Sequence, residues 1–138
     1  VVWENKVLLC RRAIEPRYGL WTLPAGYMEM FETMEQASAR ETREEAEAEI
    51  EIEQLYCLYN IPRIGQIYVL FKAQLLNGQF GAGEETIESR LFSEDDIPWS
   101  ELAFPSVDRT LQHYFADRKN NHFTTHLETL GSRTDHTG

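Results

Sequence analysis

Short apolar runs and amphipathic stretches succeed one another along the chain, which is typical of a protein that contains both strands and helices. Residues 1–10 predict strand structure around a turn at Glu4-Asn5-Lys6. Three later segments are rich in apolar, β-branched or aromatic side chains and predict further strands: residues 50–60, 64–76 and 87–92. Segments 11–19 and 77–85 are polar or glycine-rich and predict loops between strands.

Two segments have the composition and spacing of helices. Residues 34–48 are rich in strong helix formers, with Thr33 placed as the N-cap and Gln36 as its capping-box partner. Over residues 106–117, apolar side chains recur at helical spacing: Val107, Leu111, Tyr114 and Phe115. Because strand and helix segments interleave, the sequence predicts the α/β class with a mixed sheet.

The length predicts a single domain, since 138 residues rarely hold two full cores. We expect residues 1–118 to form the domain and residues 119–138 to be a polar C-terminal extension. Three of the four histidines fall in that extension, and we expect no metal site among them. Because the chain begins in an apolar run without Met, we also expect a segment upstream of it.

Charge and cysteine content limit the partners and the cell compartment. The chain has 23 Asp and Glu against 13 Lys and Arg, a formal net charge of −10. We therefore expect no nucleic acid polymer as partner, and an anionic ligand would need a local basic group or a bound cation. No apolar run is long enough for a membrane span, so we expect a cytoplasmic protein, with Cys10 and Cys57 as buried thiols.

A cluster of carboxylates carries the candidate chemistry. On a helix, Glu41, Glu44 and Glu45 lie at positions i, i+3 and i+4, so their carboxylates project from one face. Three like charges repel one another unless a cation lies between them. Oxygen ligands suit Mg2+ or Mn2+, and such ions usually bridge to substrate phosphates.

Further residues stand at fixed offsets from this cluster. Gly26 frees the backbone where a strand ends, and Arg40 can neutralise and orient Glu32 or Glu45. A solvated acidic helix face is the alternative interpretation of the carboxylates. That alternative does not account for Gly26, Glu32 and Arg40.

The spacing G-x5-E-x7-R-E-x-x-E-E resembles the long and specific signature of the Nudix hydrolases. In this chain it falls on six residues: Gly26, Glu32, Arg40, Glu41, Glu44 and Glu45. The likeness covers roughly residues 5–118. Five further segments are similar to a subgroup that acts on ADP-ribose and FAD: residues 7–12, 19–26, 88–92, 97–99 and 102–105. That subgroup includes plant chloroplast enzymes and bacterial relatives, which often carry an N-terminal four-cysteine zinc ribbon that is missing here.

The resemblance implies an α/β/α sandwich around a mixed central sheet, with the signature forming a catalytic loop-helix-loop. It implies attack of water on a diphosphate, with Mg2+ as cofactor and Mn2+ able to substitute. Glu41 and Glu45 would be the principal metal ligands, and Glu44 would complete the shell. One of these carboxylates, or Glu85 or Glu84 in the later loop, would activate the water.

Two positions depart from the family pattern, because Phe31 and Glu47 stand where the family usually has glycine. If Glu47 adopts the left-handed conformation that glycine would, the cost is about 1 kcal/mol. If the helix continues for another turn, the exit to the next strand shifts. Both departures leave every expected metal ligand in place.

The expected substrate-binding residues are Arg12, Arg11, Trp21 and Gly26. Arg12 follows the first strand, where the family often places an arginine that contacts phosphate, and Arg11 lies on the opposite face. Trp21 is either core beneath the signature loop or a stacking surface for a base. Four other aromatic residues are either packing residues or candidates for a purine platform: Tyr18, Tyr27, Tyr68 and Phe104.

The resemblance thus predicts a pyrophosphohydrolase for a nucleoside diphosphate linked to another moiety, with ADP-ribose or FAD favoured and AMP as one product. Two alternatives stay open: an oxidised nucleoside triphosphate pyrophosphohydrolase, and a non-catalytic domain that binds a nucleotide as a regulator. Intact Glu41, Glu44 and Glu45 favour the enzyme. Homodimerisation is expected by analogy with diphosphate-sugar members.

Overall fold

The computed structural model describes residues 1–131, which form a mixed sheet with a helix on each face. The strands are Val2–Trp3 (β1), Lys6–Arg12 (β2), Trp21–Thr22 (β3), Ile50–Ile61 (β4), Gln66–Leu75 (β5), Thr86–Phe92 (β6) and His126–Thr129 (β7). The α-helices are Met34–Ala46 (α1) and Pro105–Asn120 (α2). Short 3-10 turns lie at Pro62–Ile64, Glu94–Asp96 and Trp99–Glu101.

Parallel and antiparallel pairs both occur in the sheet. Strand β2 pairs antiparallel with β1, β3 and β6, and the long strands β4 and β5 pair antiparallel with each other. The parallel pairs are β1 with β5 and β4 with β7. Glu4 and Asn5 form the tight turn between β1 and β2, and both have positive φ, so the predicted turn is confirmed.

Alternation along β2 separates the two layers of the core. Val7 and Leu9 face the cluster that includes α2, whereas Leu8 and Cys10 face the cluster that includes the C-terminal end of α1. From α2, the first cluster takes four buried side chains: Val107, Leu111, Tyr114 and Phe115. The predicted α/β/α sandwich is confirmed.

Helix α1 begins as the sequence predicts and ends two residues earlier than expected. The Thr33 hydroxyl accepts a hydrogen bond from the Gln36 amide at 3.1 Å, and the Gln36 side chain accepts one from the Thr33 amide at 2.9 Å. The helix ends at Ala46 because Glu47 adopts the left-handed conformation, with φ 49° and ψ 41°. This capping fixes which helical face is presented to the loop after β5.

The structure differs from the predicted polar extension at 119–138. Helix α2 continues to Asn120, and β7 lies beside β4 in the sheet. Phe123 and Leu130 pack against the main core, so residues 119–131 are part of the domain. His136 and the rest of the predicted extension lie outside the described residues.

Cys10 and Cys57 are free buried thiols, as predicted, and burial raises the pKa of Cys10 to about 11. Within residues 1–131, neither helix has the length and apolar character needed to cross a membrane.

Candidate active site

Five carboxylates line one cleft of about 370 Å³ at the C-terminal half of α1: Glu41, Glu44, Glu45, Glu84 and Glu85. The first three lie on one face of the helix, as predicted. The other two belong to the glycine-rich loop that precedes β6. The structure therefore brings together every residue predicted to bind metal or activate water.

Close backbone packing holds the glycine-rich loop against the end of α1. The Gly81 amide donates to the Ala46 carbonyl at 2.6 Å, and the Gly83 amide donates to the Glu45 carbonyl at 3.1 Å. A Cβ at position 83 would lie 1.7 Å from the Glu44 carbonyl oxygen, which is inside any tolerable contact. Only glycine at position 83 therefore lets the loop pack closely enough to bring Glu84 and Glu85 next to the helix.

Gly26 is needed for space rather than for backbone freedom. A Cβ at this position would lie 2.1 Å from Cδ of Glu41, so the glycine lets the Glu41 carboxylate lie against the loop backbone. One residue earlier, the Ala25 amide donates to Oε2 of Glu45 at 2.8 Å. The loop after β3 therefore positions two of the helix carboxylates.

Arg40 joins the signature loop to α1 through several carboxylates. Its guanidinium donates to both oxygens of Glu32, at 2.7 and 3.1 Å, and to Glu41 and Glu44 at 2.8 and 3.1 Å. A further bond reaches the Tyr27 carbonyl at 2.8 Å. The hydrogen bond from Arg40 lowers the pKa of Glu32, and it raises the pKa of Arg40. Arg40 and Glu32 therefore hold the loop in place, which agrees with their predicted structural role.

Burial favours the protonated forms of two carboxylates of the cleft, Glu45 and Glu41. It raises the pKa of Glu45 to about 8, and the nearby charge of Glu41 adds to that shift, whereas the Ala25 amide and Arg12 oppose it. Burial also raises the pKa of Glu41, against the opposing effect of Arg40. Without a cation, burial therefore shifts Glu45 towards its protonated form.

The two predicted arginines have different surroundings. Arg12 Nε donates to the Pro16 carbonyl at 2.9 Å, and its positive charge acts on Glu45. Arg11 Nε donates to the Gly19 carbonyl at 2.9 Å, and its guanidinium forms an ion pair with Glu88 at 3.6 Å. Arg12 is thus associated with the cleft, and Arg11 is occupied elsewhere.

The structure corrects the predicted substrate contact at Trp21. Its side chain is only 5% exposed, lies in the core cluster beside α2, and packs edge-to-face on Phe92 with ring centroids 4.9 Å apart. A ring buried in this way has no free face for a base. Of the other aromatic candidates, Tyr18 and Tyr27 are exposed, whereas Tyr68 and Phe104 pack against the core.

Comparison with known proteins identifies the family. The family model described as NUDIX domain matches residues 1–115 of the chain. The chain belongs to the NUDIX family.

Several proteins similar to this chain are named as hydrolases or pyrophosphatases. An ADP-ribose pyrophosphatase of Methanocaldococcus jannaschii is 32% identical over 105 residues, which is 73% of this chain and 61% of that protein. A NUDIX hydrolase from Nitrosomonas europaea superposes with a TM-score of 0.92 at 49% identity, over 95% of this chain and 74% of that one. An ADP-ribose pyrophosphatase from Streptococcus suis superposes with a TM-score of 0.68 at 25% identity, over 91% and 92%. The chain spans about three fifths of the curated relatives it matches.

The two departures from the NUDIX pattern both keep a glycine-like backbone. Phe31 has φ 68° and Glu47 has φ 49°, so each adopts the left-handed conformation that the usual glycine would. Of the two alternatives for Glu47, the structure has the left-handed end and not the longer helix. The Phe31 side chain is 98% exposed, which keeps the ring out of the cleft.

The residues of the cleft fit a divalent cation by their chemistry. Carboxylate oxygens are the ligands that hard cations prefer, and within residues 1–131 Glu45 has only the Ala25 amide at hydrogen-bond distance. No three Asp, Glu, His or Cys side chains of these residues stand close enough to coordinate one ion together. Since Arg40 pairs with Glu41 and Glu44, joint coordination would require those side chains to rotate.

Sequence analysis missed two contributions of the signature loop. The Glu29 amide donates to Glu32 at 2.8 Å, and the Glu29 carboxylate lies 3.4 Å from Arg40. The second contribution is the backbone amide of Ala25, which donates to Glu45 and which no side-chain pattern in the sequence could indicate. Backbone donors and irregular loops leave no periodic pattern, so only the spacing of the signature could have pointed to this segment.

Proposed function

We propose that this NUDIX protein hydrolyses the diphosphate bond of a nucleoside diphosphate linked to another moiety, with ADP-ribose or FAD as favoured substrates and AMP as one product. The observation that carries the proposal is the cleft in which five carboxylates meet beside the arginine Arg12. A cleft this acidic repels a diphosphate unless cations are present. We therefore propose Mg2+, with Mn2+ as a substitute, bound by Glu41, Glu44 and Glu45.

Each part of the cleft has a role in this proposal. A divalent cation held by these carboxylates would neutralise phosphate charge and lower the pKa of a coordinated water. The Ala25 amide orients the Glu45 carboxylate, and Gly26 leaves room for that of Glu41. Glu85 or Glu84 stands across the cleft as the candidate general base. Arg12 adds a positive charge for the substrate phosphates.

The relatives support the choice of ADP-ribose. Both the relative from Methanocaldococcus jannaschii and the solved structure from Streptococcus suis are named ADP-ribose pyrophosphatase. FAD shares the adenosine diphosphate part of ADP-ribose, and it stays a candidate through the resemblance of the flanking segments. With an oxidised nucleoside triphosphate, water would instead attack within the triphosphate chain and diphosphate would be released.

Hydrolysis of a substrate panel tests the proposal. The panel holds ADP-ribose, FAD, NADH, a dinucleoside polyphosphate and 8-oxo-dGTP, each with Mg2+, with Mn2+ and with EDTA. We expect turnover of ADP-ribose or FAD that EDTA abolishes. Turnover of 8-oxo-dGTP alone would favour removal of oxidised nucleotides. A folded protein that binds nucleotide but turns over nothing would be a regulator, and the proposal would be wrong.

Homodimerisation and a cytoplasmic location stay predictions. Light scattering at several protein concentrations would measure the oligomeric state directly, with a doubled mass expected for the dimer.

A further inference from the structure

Five large apolar side chains between β3 and the first residue of α1 lie open to solvent. Their exposed fractions range from 44% to 98%, and they are Tyr27, Met28, Met30, Phe31 and Met34. All three methionines of the chain are among them. We call these five side chains the apolar loop surface. Single exposed apolar residues are ordinary in proteins, whereas a group of five within eight positions is typical of an interaction site.

The backbone that carries the apolar loop surface is held in place at both ends. The Tyr27 carbonyl accepts a hydrogen bond from Arg40 at 2.8 Å, and the Glu29 carboxylate lies 3.4 Å from the same guanidinium. At the other end, the capping box of Thr33 and Gln36 fixes the entry into α1. The loop therefore presents its apolar side chains on an ordered backbone, and a partner would not have to order it.

Phe31 combines two unfavourable features. Its ring is 98% exposed, so it has almost no packing contact with the rest of residues 1–131. Its backbone has φ 68°, a conformation that glycine adopts without the steric cost that Phe31 bears. Strained backbone is typical of positions with a function. A partner that covers the ring would supply the contact that the folded chain does not.

The area of the apolar loop surface suits a partner segment better than a second copy of the chain. Aromatic side chains can bury roughly 150–250 Å² each, so the exposed parts of Tyr27 and Phe31 supply roughly 300–400 Å². The largest apolar patch on a typical monomer measures roughly 300–600 Å², and the methionines bring this surface into that range. A standard interface buries roughly 800 Å² on each partner. A dimer would therefore have to bring the flanking surface together as well.

The charge of the flanking surface favours a basic partner. Residues 24–39 contain three glutamates and no Lys or Arg, and the Glu29 side chain is 65% exposed. Two copies that met here, each with a net charge of −10, would bring like charges together. The anionic surface of a membrane would be repelled for the same reason. A segment with apolar side chains on one face and Lys or Arg beside them matches both the apolar side chains and their flank.

We propose that the apolar loop surface docks a basic amphipathic segment of another protein. The apolar face of that segment would cover Phe31 and the methionines, whose flexible side chains adapt to a partner. Its Lys or Arg side chains would lie near Glu29. Gly26 directly precedes the surface, so the partner would lie beside the loop that makes room for the Glu41 carboxylate. The proposal does not depend on the hydrolytic reaction, and either can fail without the other.

Titration with synthetic peptides, followed by calorimetry, tests the proposal. The probe is a Leu-Lys peptide of about 18 residues, or five helical turns, with all leucines on one helical face. Its matched controls are a scrambled peptide of the same composition and an amphipathic Leu-Glu peptide. We expect the amphipathic Leu-Lys peptide to bind about tenfold or more tightly than the scrambled one, and the Leu-Glu peptide not to bind. Added salt should weaken the binding of the Leu-Lys peptide.

Phe31→Ala is the decisive variant, because it removes the ring and keeps a side chain at the left-handed position. It should weaken binding of the amphipathic Leu-Lys peptide about tenfold or more. Tyr18→Ala, which removes an exposed ring from the loop after β2, should leave that binding unchanged. Met30→Ser is a second variant that should also weaken binding, and because Met30 is 82% exposed, the change does not disturb the core.

Several results would overturn the proposal. Failure of the amphipathic Leu-Lys peptide to bind would do so, as would equal binding of the scrambled peptide or unaltered binding in both Phe31→Ala and Met30→Ser. A dimer in light scattering that Phe31→Ala converts to a monomer would show that a second copy covers the surface. Binding of the parent, but not of Phe31→Ala, to phosphatidylcholine vesicles would show that the surface meets a lipid bilayer instead.

Discussion

At the scale of single residues, the site depends on close approaches that only small side chains allow. Gly26 admits the Glu41 carboxylate, and Gly83 admits the Glu44 carbonyl. Arg40 then connects the loop to the helix through Glu32 and its neighbours on α1. Each of these residues acts on the position of a carboxylate, and none needs to touch substrate.

Gly26→Ala tests the close approach. The new Cβ would overlap the Glu41 carboxylate, whose flexible side chain can move away, so we expect the fold to persist. The displaced carboxylate should lower kcat by about tenfold or more. Gly65→Ala is the control for kcat: its Cβ meets open space, and the positive φ of 65° lowers stability by about 1 kcal/mol without displacing a cleft carboxylate. Equal kcat in Gly26→Ala and the parent would contradict this role.

Phe31 tests the cost of a left-handed residue. Phe31→Gly should raise the free energy of unfolding by about 1 kcal/mol, because glycine adopts φ 68° without a steric penalty. Phe31→Ala keeps the strain and removes the exposed ring, so it should leave stability nearly unchanged. Urea unfolding measures both variants. A glycine variant no more stable than the alanine variant would show that the backbone is not strained.

Sequence reasoning at this scale succeeded where spacing carries the signal. Spacing placed Glu41, Glu44 and Glu45 on one face of α1, where the structure has them, because i, i+3 and i+4 positions share a helix face whatever surrounds them. It left Trp21 open between core packing and ligand stacking, since a large aromatic side chain near a site has the same sequence pattern whether it stacks on a ligand or on Phe92. Only the packing of the α2 layer decides between the two.

At the scale of secondary-structure elements, the sequence predicted features that depend on neighbouring residues better than features that depend on pairing between distant segments. The capping box of Thr33 and Gln36 is complete within four residues, so the predicted start of α1 is correct. Strand β7 was missed because it is short and polar, and its hydrogen bonds are to β4, a strand far away in sequence. The loop at 77–85 was predicted, but its docking on α1 depends on carbonyl contacts that no pattern records.

Hydrogen bonds that join α2 to β4 and to β7 hold the last strand in place. Tyr56 donates to Asp117 at 2.6 Å, and His126 lies 2.7 Å from the same carboxylate. Burial opposes the charged form of Asp117, but these bonds outweigh it and lower its pKa. On the strand itself, Glu128 pairs with Arg109 at 2.7 Å and with His113, and its pKa is also lowered although burial opposes this.

Acid should therefore weaken this attachment. A carboxylate with a lowered pKa in the folded protein stabilises it above the ordinary pKa, and that stability is lost as the pH falls through the folded value. Asp117→Asn should cost about 1.5 kcal/mol at pH 7 and reduce the loss of stability between about pH 5 and 3. Urea unfolding at several pH values measures this, with the exposed Asp95→Asn as control. An unchanged pH profile in Asp117→Asn would contradict it.

At the scale of the whole molecule, the net charge of −10 and the acidic cleft act together. An anionic ligand would meet a surface that repels it, and the positive charge of Arg12 acts on Glu45 within the cleft. Divalent cations would reverse the local sign. The class of fold and the carboxylate face of α1 were predictable because both rest on local patterns. The docking of the glycine-rich loop on the end of α1 was not, since it depends on backbone contacts between distant segments.

Hydrolysis of ADP-ribose by a matched pair of variants tests the central claim most directly. Glu45→Gln removes one carboxylate from the cleft, whereas Glu35→Gln removes one from the exposed first turn of the same helix. With saturating Mg2+, we expect Glu45→Gln to lower kcat roughly 100-fold or more without loss of folding, since it deletes one of the metal ligands that we propose. Glu35→Gln should match the parent. Parental turnover in Glu45→Gln would show that this cleft is not where the reaction occurs.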